Sequence, residues 1–287
     1  METCGLGSAA AGRYNAGMDS HRYLPDFSRM SVLTAAILLA YALTSIISSP
    51  SLPLDFQLAG VNLTFNINLD TILVVIAAGL AASGMDWMLR GHPLLVNKTR
   101  YEHLLLPLLT TLVIGMALYT LPGGFIWWLG FGLGGLILVL VLLAEYIVVD
   151  IADLRYPLAA AGLSAISFVL YLVLAMALSA AGERLYLLVP PLFLAAWLTA
   201  LRTLHLRLAG RWEIGWATGI ALVVTQLTAA LHYWPLTPPQ FGLALLGPLY
   251  ALTSLAISLL DEVPFRRAIA EPLVMLGLMW GLVFVFR

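Results

Sequence analysis

An all-α integral membrane fold, nine transmembrane helices in one bundle with a short β-hairpin in the first outer loop, is predicted for this chain by three observations. Hydrophobic residues make up 61% of its 287 positions and charged residues only 10%, against about 25% charged in an average soluble domain. Nine apolar stretches approach the roughly 20 helical residues that a hydrocarbon core about 30 Å thick requires. When these are threaded alternately through a bilayer from an inner N-terminus, Arg184 and Arg287 fall outside and the rest of the 14 Lys and Arg fall inside. Basic residues near the ends of spans are retained on the cytoplasmic face, so this asymmetry orients the chain. Counting eight or ten spans spoils the partition.

Along the chain, residues 1–30 read as a cytoplasmic N-terminal tail and 31–287 as a single polytopic domain. Met1–Gly17 is expected to be disordered, with Met18 a second candidate start. The spans are placed at about Ser31–Ser49, Thr71–Leu89, His103–Leu121, Gly124–Val149, Pro157–Ala181, Leu185–Leu204, Ile214–Leu231, Phe241–Leu260 and Ala268–Phe286. Trp127, Trp128, Tyr233 and Trp234 then fall near the outer interface, where aromatic belts form. The resulting location is the cytoplasmic (inner) membrane, with the C-terminus outside.

The first outer loop alternates. Leu54, Phe56 and Leu58, then Val61, Leu63, Phe65, Ile67 and Leu69, are separated by polar residues. Ala59-Gly60 interrupts the pattern by two residues, the length of the tightest hairpin turn. Pairing Leu58 with Val61 sets Phe56 opposite Leu63 and Leu54 opposite Phe65, which makes one face wholly apolar. The hairpin, about 54–69, needs a cover on that face, and the bundle rim or the headgroup layer supplies one.

Small residues line several helix faces. Ala78, Gly79, Ala82 and Ser83 do so in the second span, Gly130 and Gly134 in the fourth and Ala159 to Ser164 in the fifth. Such faces let helices approach closely in lipid, within the chain or against a membrane-protein partner or second copy. Beyond that contact the expected partner is the bilayer. The net charge of −1 and the absence of a basic run exclude nucleic acid.

Ionisable residues within spans are costly, so they are the candidate substrate- or ion-binding residues. Asp86 lies one turn beyond Ala82. Glu145 follows Gly134, Leu138 and Val141 on one face. Arg202 follows Ala195 and Thr199, with His205 a turn further. Arg202 sits several residues deep if its helix starts at Pro190-Pro191 and near the interface if it starts at Leu185. Glu271, before Pro272, suits capping of the last helix. The expectation is that Asp86, Glu145 and Arg202 meet at the inner helix ends, two acids against one cation.

Other chemistries lack their residues. Asp261-Glu262-Val263-Pro264-Phe265-Arg266 superficially resembles the paired-acid, Phe-Arg signature of CAAX-protease-like membrane enzymes, but no His follows position 232 and that family's catalytic partners are missing. Asp150 and Asp153 have the wrong spacing for a prenyltransferase. His92, His103, His205 and His232 lie in separate segments without ligand spacing, Cys4 is the single cysteine, and the glycines near 130–135 lack the lysine of a phosphate loop. No cofactor is expected and no catalytic residue is assigned. The function expected is a small transporter-like protein; the alternatives are a non-catalytic scaffold or assembly subunit and an enzyme acting on a lipid-linked substrate at the inner leaflet.

Cysteine labelling in intact cells tests this topology. Segments 90–102 and 205–212 should be protected from an impermeant reagent, and 50–70 and 232–240 should be labelled; external labelling of 205–212 overturns the nine-span count.

Overall fold

In the computed structural model, residues 26–46, 52–58, 61–92, 95, 101–208 and 210–285 are described. The disordered tail, the candidate start at Met18, Ala59-Gly60, the 96–100 part of the first inner loop and Arg287 lie outside them.

The described chain is dominated by helices: α1 (Phe27–Ile46), α2 (Leu69–Leu89), α3 (Leu105–Thr120), α4 (Phe125–Val148), α5 (Tyr156–Ala180), α6 (Leu185–Arg207), α7 (Ile214–His232), α8 (Pro238–Leu260), the short α9 (Phe265–Ala268) and α10 (Ala270–Val285). Nine helical segments among the described residues, with α9–α10 counted as one, are long and apolar enough to cross a membrane. Between α1 and α2, strands β1 (Leu52–Leu58) and β2 (Val61–Ile67) pair antiparallel, with Phe56 opposite Leu63 and Leu54 opposite Phe65. Leu69 is not part of a strand. The Asn68 side chain accepts the Thr71 N–H at 2.9 Å and caps α2, so the extended segment ends before it.

Local chemistry moves other boundaries. The first helix begins at Phe27 rather than at Ser31. The eighth begins at Pro238 rather than Phe241, because Thr237 and Gln240 form a capping box and two prolines occupy its first turn. The sixth starts at Leu185 and runs through Pro190 and Pro191 to Arg207.

Packing divides the helices into two sets of four. In the first, α1 packs on α2, α2 on α3, α3 on α4, and α4 closes back on α1; in the second, α5 packs on α6, α6 on α7, α7 on α8, and α8 closes on α5. The two sets thus share one order of neighbours, and α1 and α5 start from the same end of the bundle. Met30, Ile37, Tyr41, Met85, Leu138 and Leu142 belong to an apolar core within the first set. The second core extends from α5–α8 across to Leu106, Leu109 and Val113 of α3 and Val141 of α4, so the seam between the sets is apolar along most of its length. The final helix, α10, packs on α8 from outside.

Glycines allow the closest approaches. A Cβ on Gly134 would stand 2.7 Å from Ile114 of α3, and one on Gly130 would stand 2.6 Å from Leu121. The Gly130/Gly134 face is thus occupied within the chain, by the neighbouring helix, which corrects its reading as a docking surface. Gly115 of α3 meets Val74 of α2 in the same way, at 2.6 Å, whereas Gly162 and Gly219 would meet nothing within 4 Å.

Gly115→Ala and Gly134→Ala should therefore each destabilise the bundle by about 1–3 kcal/mol, the range for overpacking. Gly162→Ala should be neutral or stabilising, since alanine is the better helix former. Thermal unfolding in detergent or nanodiscs checks this, and equal effects at all three positions would contradict the packing described.

Candidate functional site

One end of the bundle gathers the start of α3, the end of α4 and the end of α6. A single 3-10 turn, Tyr101–His103, leads into α3 and places Glu102 and His103 there. Glu145 lies three residues before the end of α4, on the face that carries Gly134, Leu138 and Val141, all buried. Arg202 and His205 are one turn apart in the last part of α6, where nearly every residue from Leu198 onward is buried. Past Arg207 the chain reverses at Gly210, whose φ of 88° lies in the region glycine tolerates. The Gly210 N–H bonds the His205 carbonyl at 2.9 Å, and Trp212 folds back on the His205 ring, with centroids 4.6 Å apart.

These five side chains form one network. Arg202 Nε donates to Glu145 Oε1 at 3.0 Å, and its Nη2 bonds Oε2 of the same carboxylate, a two-point grip. His103 Nδ1 lies 2.8 Å from Glu145 Oε2. On the other side of the ring, His103 Nε2 lies 3.3 Å from Glu102 Oε1, and His205 Nε2 reaches Glu102 Oε2 at 3.2 Å. Glu145 is 0% exposed and Arg202 1%, whereas the Glu102 side chain is 24% exposed. The network therefore runs from a fully enclosed ion pair to a carboxylate at the surface.

Its hydrogen bonding has a consequence for protons. An ionised carboxylate only accepts, and a neutral imidazole offers one N–H. Both nitrogens of His103 face carboxylate oxygens, so one proton beyond the neutral-imidazole count must be held, either as an imidazolium or on one of the two acids. With that proton, Glu102 and Glu145 are balanced by Arg202 and the shared proton while His205 stays neutral. Arg202 Nη1 and His205 Nδ1 are buried without a hydrogen-bond partner among the described residues. Among those residues no group of three or more His, Cys, Asp or Glu suited to a metal ion occurs.

Nearby, the Tyr156 hydroxyl of α5 donates to the Leu206 carbonyl at 3.1 Å. His92, in the loop after α2, lies edge-on to Tyr146 at 4.9 Å. Burial holds the His92 pKa below the ordinary histidine value, with Asp150 opposing and His103 reinforcing that shift.

Of the residues singled out from sequence, Glu145, Arg202 and His205 come together. Asp86 is taken by its own helix: Arg90 Nε and Nη2 bond its Oδ2 at 2.9 and 2.7 Å. An arginine one turn on, at a half-exposed helix end, satisfies the carboxylate locally, so it is not needed as a second acid beside Glu145. Glu271 accepts a bond from the Tyr250 hydroxyl at 2.8 Å and is exposed, outside the network. The second acid is instead Glu102, which sequence reasoning passed over along with His103. Their signal was an acid–His pair at the mouth of an apolar stretch, but the partners lie 42 and 99 residues further along the chain.

A family model described as "Protein of unknown function (DUF5656)" matches residues 48–286, which include the whole network. No curated protein and no solved structure matches the chain.

Removing one partner of an enclosed ion pair leaves an uncompensated charge, typically at a cost of 3–5 kcal/mol. Arg202→Met and Glu145→Met should each destabilise by roughly that amount, and the double variant should recover most of it. Asp86→Asn should cost about 0.5 kcal/mol or less, as for an i,i+4 pair. Denaturation of the four variants in mild detergent checks this; an additive double variant would mean the pair is not coupled.

Proposed function

The chain belongs to the DUF5656 family, and we propose that it is a small transporter-like membrane protein whose buried Glu102–His103–Glu145–Arg202–His205 network takes up and releases a proton. The observation that carries this reading is the proton count at His103, held inside the helices yet connected to the surface through Glu102. Ionisable groups enclosed by membrane-length helices mark proton or ion pathways more often than they serve packing. The two helix sets, running in the same sense about a common seam, are the arrangement used by carriers built from parallel repeats. The network spans that seam.

In this reading residues 31–287 act as one polytopic domain in the cytoplasmic membrane. The N-terminus and the network lie inside, and the C-terminus lies outside with the strand pair; the distribution of arginine supports that orientation. The bundle rim or the headgroup layer covers the apolar face of the strand pair. The scaffold alternative loses support because the Gly130/Gly134 face packs within the chain. The lipid-linked-substrate enzyme loses support because Glu145 is enclosed and Asp86 is bonded to Arg90.

Histidine-selective 15N NMR of the protein in nanodiscs tests the proton site. One doubly protonated imidazole, or one protonated carboxyl seen in the infrared, should persist at neutral pH and vanish in His103→Gln; its absence sinks the proton site. Liposomes with a trapped pH dye test transport. Addition of mixed amino acids, sugars or monovalent cations should change internal pH in the wild type and not in His103→Gln. No response to any class removes the transport reading and leaves the NMR result standing.

A further inference from the structure

The network is divided between the two helix sets in a way that matters electrically. The first set supplies both acids and His103, from the turn before α3 and the end of α4; the second supplies Arg202 and His205, from α6. Two ionic contacts cross the seam, Arg202 to Glu145 and His205 to Glu102, and the His103 contacts stay within the first set. Elsewhere the seam is apolar. In lipid, apolar contact between helices gains little over contact with acyl chains, so the polar end contributes a disproportionate share of the preference for the closed arrangement.

We infer that the network is a proton-dependent lock between the two four-helix sets, closed when the proton at His103 is held and opened at this end when it leaves. This rests on the proton site proposed above. With the proton in place the enclosed charges cancel. Without it, two carboxylates face one arginine, and a bare imidazole nitrogen faces an oxygen anion. An enclosed, unbalanced charge is costly by several kcal/mol unless water reaches it, and the nearest water is at Glu102. The balance is drawn over every element packed here: Glu102 and His103 before α3, Glu145 on α4, Tyr156 on α5, Arg202 and His205 on α6, and Trp212 and His92 in the adjoining loops. Tyr156 is bonded to a backbone carbonyl and His92 is neutral, so neither replaces the missing charge. Arg202 Nη1 and His205 Nδ1, lacking partners, are the groups that incoming water would meet first.

The sign is fixed by the balance. The proton stabilises the closed seam, so closure is present at lower pH and is lost as pH rises through the titration of the network. Two substitutions shift it in opposite directions. Glu102→Gln removes one negative charge and keeps hydrogen bonds to both histidines, so the seam balances without the extra proton and stays closed at every pH. His103→Gln removes the proton carrier and leaves both acids, so the seam is open at every pH.

Spin-label distances in nanodiscs read this directly. With Cys4→Ser as background, one label pair at Gly91 and Arg266 reports the arginine-rich end of the two sets, and a control pair at Tyr119 and Trp234 reports the opposite end. Raising pH across the histidine range should widen the first distance in the wild type and leave the second unchanged. Glu102→Gln should hold the short distance throughout, and His103→Gln the long one. If His103→Gln does not fold, the wild-type titration and Glu102→Gln still decide the matter. A wild-type distance independent of pH, or Glu102→Gln titrating as the wild type does, overturns the lock. A surplus proton seen by NMR with unmoved distances rejects the lock alone; loss of that proton signal rejects the proton site beneath it.

Discussion

Enclosing Glu145 against Arg202 imposes a condition that the surrounding end of the bundle has to meet. Taking both charges out of water costs several kcal/mol per ion, recovered only when the geometry is good and the remaining lone pairs and N–H groups are filled. Arginine fills two positions of the carboxylate with its fork. His103 takes a further position on Oε2, and its other nitrogen then requires Glu102, whose second oxygen is met by His205. Each partner recruits the next until the chain of bonds reaches water. The relative positions of the α3 start, the α4 end and the α6 end are thereby held to hydrogen-bond tolerance.

Placement of this network at the meeting of two four-helix sets follows from where close approach is affordable. Within the first set, Gly115 and Gly134 bring α3 against α2 and α4. Tight packing of this kind has one well-defined arrangement and resists continuous deformation. The seam between the sets combines apolar side chains over most of its length with ionisable groups at one end. Motion that changes the protein's internal geometry at small cost is therefore concentrated at the seam, where the balance of charge can alter it, rather than within either set.

Legibility from the sequence varied with the range of the physics involved. The face of Glu145 could be read because Gly134, Leu138 and Val141 recur at helical spacing, and Arg202 likewise follows Ala195 and Thr199. Asp86 could be read equally well, yet its carboxylate is claimed by Arg90 one turn away, a local pair that the search for distant partners overlooked. The sixth helix runs from Leu185, so Arg202 lies near a helix end, but it is enclosed all the same because α3, α4 and α5 surround that end. His103 and Glu102 gave no periodic signal, since a short 3-10 turn rather than a helical face presents them.

Composition, run length and the spacing of charges are properties of each segment with its solvent, so nine membrane-length helices and an arginine-rich end were determined by the sequence alone. Helical periodicity likewise determined which side of α4 and α6 carries small residues and a charge. Which helix covers that side depends on the rotation and adjacency of segments 40 to 100 residues apart, and no local interaction encodes it. Tertiary structure alone decided that Gly130 and Gly134 are filled by α3 and its end, and that Glu102 rather than Asp86 is the second acid. It alone arranged the helices as two sets of four, with opposite charges contributed from the two sides of their seam.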